Sequence, residues 1–99
     1  MTELLTDDQV QQALGGLDGW RQDRQELVRV VELADFPTAI VVVDRVAEVA
    51  QAADHHPDID IRWRTLTFRL STHSEGGLTA KDVEMAGRIN AIVSAQPLA

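Results

Sequence analysis

The chain has 99 residues, 44% hydrophobic and 25% charged, with nine Lys and Arg against 16 Asp and Glu for a formal net charge of −7. That composition describes a single domain spanning residues 1–99, too apolar for disorder and too short for two ordinary domains, and it excludes a basic nucleic-acid surface or attraction to an anionic membrane. Zero cysteines exclude disulfides, thiolate nucleophiles and iron–sulfur clusters and fit a reducing cytoplasm; no charged-then-apolar leader is expected, and the longest apolar run, Ala39 to Val43, is far short of the ~20 residues of a spanning helix.

Thr6-Asp7-Asp8-Gln9 reads as a capping box, with Thr6 as N-cap, opening a helix that carries Val10, Ala13 and Leu14 on one face. Gly15-Gly16 and Asp18-Gly19 end it. Trp20 starts a strand, Arg21 to Gln25 is a polar turn, and the Val-rich run Leu27 to Leu33 is the return strand. Asp35-Phe36-Pro37 starts a second helix, with Asp35 as N-cap. Its apolar stripe runs through Ile40, Val43, Ala47 and Ala50, with Val42, Val46 and Val49 beside it. This helix should stop near His55-His56, because Pro57 pushes His56 out of the α region.

Ile59, Ile61 and Trp63 then alternate with polar residues, and so do Leu66, Phe68 and Leu70. The apolar phase shifts from odd to even positions, so one flat strand cannot carry both sets and a tight turn or bulge falls near Arg64–Thr65, making two strands. Trp63 is expected to pack at this hairpin. Thr79 caps a final helix with Asp82 at N3, and Val83, Ala86, Ile89, Asn90 and Val93 trace its inner stripe. Gly87 inside that helix costs propensity and points to close packing. The order is α-β-β-α-β-β-α. Hairpin pairs with helices between them predict an α+β fold with an antiparallel sheet covered on one face.

All three histidines lie in or beside the second hairpin. His55-His56-Pro57 precedes its first strand and His73 follows its second, so the two ends meet at one end of the sheet. Imidazole titrates near neutrality and suits general acid–base work. From the pattern alone two readings stand: a three-histidine acid–base site, or three partly exposed histidines at loop junctions. A zinc site is a third, but His55 and His56 are adjacent and the His-x-x-x-His spacing that aligns two ligands on a helix is absent. No nucleophile elbow surrounds Ser71 or Ser74, as a serine hydrolase would need.

His55-His56-Pro57, five residues, Trp63, nine residues, His73, eight residues and Asp82 form a spacing that resembles the pterin-4a-carbinolamine dehydratase family. Leu70-Ser71-Thr72-His73, Gly77-Leu78-Thr79, Gly19-Trp20 and Asp35-Phe36 extend the likeness over nearly the whole chain. The resemblance implies a four-stranded antiparallel sheet with three helices on one face. It also implies dehydration of 4a-hydroxytetrahydropterin to quinonoid dihydropterin, which recycles the cofactor of aromatic amino-acid hydroxylases. Hydroxide is a poor leaving group from C4a, so an acid protonates it while a base takes the N5 proton. No metal, redox cofactor or covalent nucleophile is required. By the same resemblance His55 and His73 are the acid–base pair, and His56 holds the pterin and shares proton transfer. Thr72, Ser74 and Glu75 flank His73 and are expected either to meet the polar edge of the pterin, with Pro57 beside the histidines, or to be solvated loop residues; the resemblance also implies that Asp82, besides capping its helix, supports an active-site histidine.

One position departs from the family pattern. Four residues before the first histidine an acidic residue is usual, and here Gln51 stands there. At i and i+4 on a helix, Gln51 would share a face with His55 and orient it. A homodimer or homotetramer is expected, since a chain of this size builds a thin core with four aromatics. Some members of the family also serve as dimerisation partners of a homeodomain transcription factor. The alternative to an enzyme is therefore a non-catalytic pterin-binding or protein-interaction module.

Overall fold

The computed structural model describes residues 3–97. The elements are α1 (Asp7–Leu14), β1 (Trp20–Asp23), β2 (Glu26–Glu32), α2 (Phe36–Ala53), β3 (Asp58–Arg62), β4 (Thr65–Leu70), a 3-10 turn (His73–Glu75) and α3 (Ala80–Ser94). The four strands form one antiparallel sheet in the order β1-β2-β4-β3, so the two hairpins lie side by side through β2 and β4.

Strand β4 shows why only one face is covered. Its burial alternates residue by residue, with Leu66, Phe68 and Leu70 fully buried between half-buried Thr65, Thr67 and Arg69. The buried set packs with Val10 of α1, Ala39, Val42, Val46 and Ala50 of α2, and Met85, Ala86 and Ile89 of α3. All three helices therefore sit on the same side of the sheet. The opposite face carries Thr67, Arg69, Asp60 and the half-exposed Val30.

The helix starts follow the sequence. The Thr6 hydroxyl accepts from the Gln9 amide while the Gln9 side chain accepts from the Thr6 amide. Asp35 accepts from the Thr38 amide at 2.8 Å, with Pro37 in the first turn. Thr79 and Asp82 form a second reciprocal box at α3. Each cap satisfies amides that the first helical turn leaves without a partner.

Four expectations need correction. The β1–β2 turn is shorter than Arg21 to Gln25: Arg21, Gln22 and Asp23 pair with Val28, Leu27 and Glu26, and the chain reverses through Arg24, whose φ is 57°. Helix α2 ends at Ala53, because Asp54 takes the left-handed conformation at φ 51°, ψ 43° and the His55 amide bonds back to the Ala50 carbonyl. A short polar side chain tolerates that conformation. Trp63 belongs to the β3–β4 turn rather than to a strand. It is 70% exposed at φ 54°, with the Arg64 guanidinium 4.7 Å above its ring instead of a core neighbour. A Cβ on Gly87 would meet nothing within 4 Å, so that glycine serves no close packing.

Gly19-Trp20 has a structural role. Gly19 has φ +83°, and a Cβ there would lie 2.9 Å from Arg29 Nε. Only glycine combines that backbone with that clearance. Trp20 Nε1 donates to Asn90 Oδ1 at 2.8 Å, Arg29 donates to the same oxygen, and the Asn90 amide donates to the Asp18 carbonyl. One asparagine thereby ties α3 to β1 and β2. Burial lowers the affinity of the Arg29 guanidinium for its proton, and Asp18 partly opposes this.

Candidate active site

Asp58 pairs with Arg69, so residues 55–57 enter the sheet at the end where residues 71–73 leave it. The left-handed Asp54 turns the chain off α2, which lets His55 point across to α3 instead of continuing the helix. There His55 Nε2 lies 2.6 Å from Asp82 Oδ1.

Asp82 is fully buried and its carboxylate is shared three ways. Oδ1 takes the His55 bond. Oδ2 accepts from the Thr72 hydroxyl at 2.8 Å and from the Thr79 amide at 2.9 Å. Thr72 and Thr79 hydroxyls are 2.7 Å apart. Thr72 gives its own proton to Asp82, so Thr79 is the donor between them. A buried charge is tolerated when its acceptor sites are filled this way. Since a carboxylate accepts, the arrangement assigns the His55 proton to Nε2 and leaves Nδ1 as the free basic nitrogen. The His55 side chain is 10% exposed, against 0% for Asp82. A cleft of about 230 Å³ opens beside it, lined by Ala53, Lys81, Glu84, Met85 and Arg88. A second cleft, of about 450 Å³, lies between Leu4, Leu5 and the β1–β2 turn and contains none of the histidines.

The other residues singled out by sequence sit differently. His56 is exposed, and its Nε2 lies 3.0 Å from Gln51 Oε1. Gln51 therefore meets His56 and not His55, because the i, i+4 geometry is lost once α2 stops at Ala53. His73 is exposed at the start of the 3-10 turn, where its carbonyl accepts from the Gly76 amide. Its ring joins neither of the other two in a hydrogen bond. Thr72 is buried, so its hydroxyl serves Asp82 and does not face a ligand. Ser74 is exposed, with its hydroxyl 3.4 Å from Glu75 Oε2, and Pro57 is half-buried. Among the described residues no three His, Asp or Glu side chains gather to hold a metal ion, and no helix is long and apolar enough to cross a membrane.

Two participants escaped the sequence reading. Thr79 was legible as a cap but not as the outer donor of the Asp82 network. Lys81 borders the His55 cleft and is the chain's only lysine, a signal visible in the composition.

The sequence pattern of the family described as Pterin 4 alpha carbinolamine dehydratase matches residues 3–92. A relative from Nocardia farcinica, provisionally named a pterin-4-alpha-carbinolamine dehydratase, is 56% identical over 89 residues, covering 90% of this chain and 94% of its own. One from Roseiflexus castenholzii with the same provisional name is 48% identical over 93 residues, covering 94% of this chain and 100% of its own. The crystal structure of a transcriptional coactivator/pterin dehydratase from Brucella melitensis superposes with a TM-score of 0.89 at 34% identity, over 92% of this chain and 99% of that one. A pterin dehydratase-like RuBisCO assembly factor of the alpha-carboxysome shares the fold at a TM-score of 0.66 and 17% identity, over 79% of this chain and 93% of that one.

Proposed function

The chain belongs to the pterin 4 alpha carbinolamine dehydratase family, and we propose that it is a hydro-lyase that converts 4a-hydroxytetrahydropterin to quinonoid dihydropterin. The observation that carries this reading is the His55–Asp82 pair, set at the corner where the sheet brings His56 and His73 to the same end.

The chemistry needs two proton transfers and nothing else. The C4a–O bond breaks as an acid protonates the departing hydroxide, which leaves as water. The N5–H electron pair forms the C4a–N5 double bond as a base takes the N5 proton. The cycle is closed with respect to protons and electrons, so imidazoles that gain and lose a proton near neutrality suffice. His55, His56 and His73 are the groups proposed for these transfers. The Asp82 carboxylate fixes the His55 ring and tautomer, so Nδ1 is the atom of that residue available to substrate. His56, steadied by Gln51, and exposed His73 with Ser74, Glu75 and Pro57 supply the remaining polar rim. Thr72 acts through Asp82. No cofactor enters the scheme, and a reducing cytoplasm suits a chain without cysteine. The proposed role is recycling of the pterin cofactor of aromatic amino-acid hydroxylases.

The second reading is a non-catalytic pterin-binding or interaction module, which the coactivator half of the Brucella protein's description favours. Turnover separates the two. Purified protein should accelerate loss of 4a-hydroxytetrahydropterin over the buffer rate, with no change on adding EDTA. Pterin binding without acceleration would favour the module instead.

A further inference from the structure

We propose that Lys81 is a substrate-binding residue whose ammonium donates to the C4 carbonyl oxygen of the pterin, and that this contact sets the adjacent N5–H on His55 Nδ1. The inference rests on the dehydratase reading and deepens it, by naming the ring edge that the site reads and His55 as the base.

One wall of the cleft beside His55 is a single stripe of α3. Lys81, Glu84, Met85 and Arg88 recur at intervals of three and four residues and so share one helix face, while Ala53 and His55 complete the lining from the end of α2. The charges in this stripe are not equivalent. Arg88 Nη2 lies 3.1 Å from Glu84 Oε1 one turn earlier, so those two occupy each other. No carboxylate pairs with the Lys81 ammonium among the described residues. Lys81 also sits next in the chain to Asp82, which holds His55 Nε2 at 2.6 Å. On that ring Nδ1 takes no hydrogen bond from the described residues, although the side chain is only 10% exposed. In a chain of net charge −7, the cleft thus offers one unpaired cationic donor and one unpaired, nearly buried acceptor.

A ligand complementary to that pair presents an acceptor and a donor side by side. The 4a-hydroxytetrahydropterin ring does so along one edge, where C4a joins C4, which bears the carbonyl oxygen, to N5, which bears a hydrogen. With the carbonyl oxygen on Lys81, N5–H meets His55 Nδ1. The N5 proton goes to Nδ1, the electron pair on N5 forms the C4a–N5 double bond, and the C4a–O bond breaks as hydroxide leaves as water. C4a is tetrahedral before this step, so its hydroxyl projects from the ring face and not along the edge. The acid is therefore a different group from the two that hold the edge, and the exposed His56 and His73 at the same end of the sheet are the imidazoles left for it. Lys81 moves no proton; its contact fixes where N5 lies relative to the base. At about 230 Å³ the cleft is smaller than the roughly 300–1,000 Å³ of a drug-sized site, which suits a two-ring head with its side chain outside.

The contact is measurable without turnover. The probes are tetrahydropterin, which keeps the C4 carbonyl and N5–H but lacks the 4a-hydroxyl, and its 4-amino analogue, which puts a donor where the carbonyl oxygen stood. By titration calorimetry under nitrogen, wild type should bind the 4-oxo ring about tenfold or more tighter than the 4-amino ring, the scale of one hydrogen bond to a charged group. Lys81→Met keeps the apolar stem without the donor, and should lower that ratio about tenfold through weaker binding of the 4-oxo ring. Lys81→Arg should keep most of the ratio, and Arg45→Met, at an exposed cation of α2 outside the cleft, should leave it unchanged. An equal ratio in wild type and Lys81→Met, or a wild type that binds neither ring, would overturn the assignment. Turnover is read separately. A chain that binds tetrahydropterin through Lys81 but does not dehydrate the carbinolamine would overturn the dehydratase reading and uphold the Lys81 contact.

Discussion

At the scale of single residues, Asp82 joins fold and site in one carboxylate. One oxygen closes the α3 cap and takes the Thr72 hydroxyl, and the other holds His55. Asp82→Asn keeps the shape but offers an amide N–H₂ where an acceptor is needed, so the His55 tautomer is no longer fixed. We expect kcat to fall about 10²–10⁴-fold, the range of a misdirected general base, with KM nearly unchanged and a cooperative melt retained. Steady-state kinetics beside a thermal melt check this, and a wild-type kcat would remove Asp82 from the account. Gly87 offers the opposite kind of test. It sits inside α3 with open space around its Cα. Gly87→Ala should add about 0.5–1 kcal/mol, raising Tm by several degrees in a domain of this size. An unchanged or lower Tm would mean that the surface is covered. Residue identity made Asp82 legible in the sequence, both as N3 of a cap and as a partner for an imidazole. That Gln51 turns to His56 was not legible in the residue pattern, because it depends on one left-handed residue, Asp54.

At the scale of elements, the starts of all three helices were legible because caps are local chemistry within four residues. The strands of the second hairpin were legible because their alternation changes phase. The helix end and the hairpin turn were legible only to within a residue or two, because Asp54 and Trp63 adopt positive φ where neither residue type announces it. The cap of α2 also has a pH signature. The side chain and then the amide of Thr38 hold the exposed Asp35 carboxyl below its usual range. A carboxylate whose folded pKa is depressed stabilises the fold above its unfolded value, near 4, and loses that contribution as pH falls through the lower folded value. Asp35→Ala should therefore lower Tm at pH 7, and the gap to wild type should narrow below about pH 4. Melts across that window check it; a gap that stays constant into acid would show that the cap's charge contributes nothing.

At the scale of the whole molecule, one sheet face carries the core and one end of the sheet carries the proposed chemistry. Helix α3 couples them. Asn90 anchors one end of it to Trp20 and Arg29, while Asp82 at the other end holds His55. The histidine corner is thus fixed by long-range ties that the sequence spacing records without explaining. His56 and His73 stay exposed at the same end of the sheet, without fixed partners of the Asp82 kind. The central claim is that His55, oriented by Asp82, moves a proton in the dehydration of 4a-hydroxytetrahydropterin. The most direct measurement is the rate of that dehydration with wild-type protein and with His55→Ala under the same conditions. The account predicts clear acceleration by wild type and a loss of about 10²–10⁴-fold in kcat for His55→Ala, with the variant still folding cooperatively. A His55→Ala enzyme as fast as wild type would contradict it.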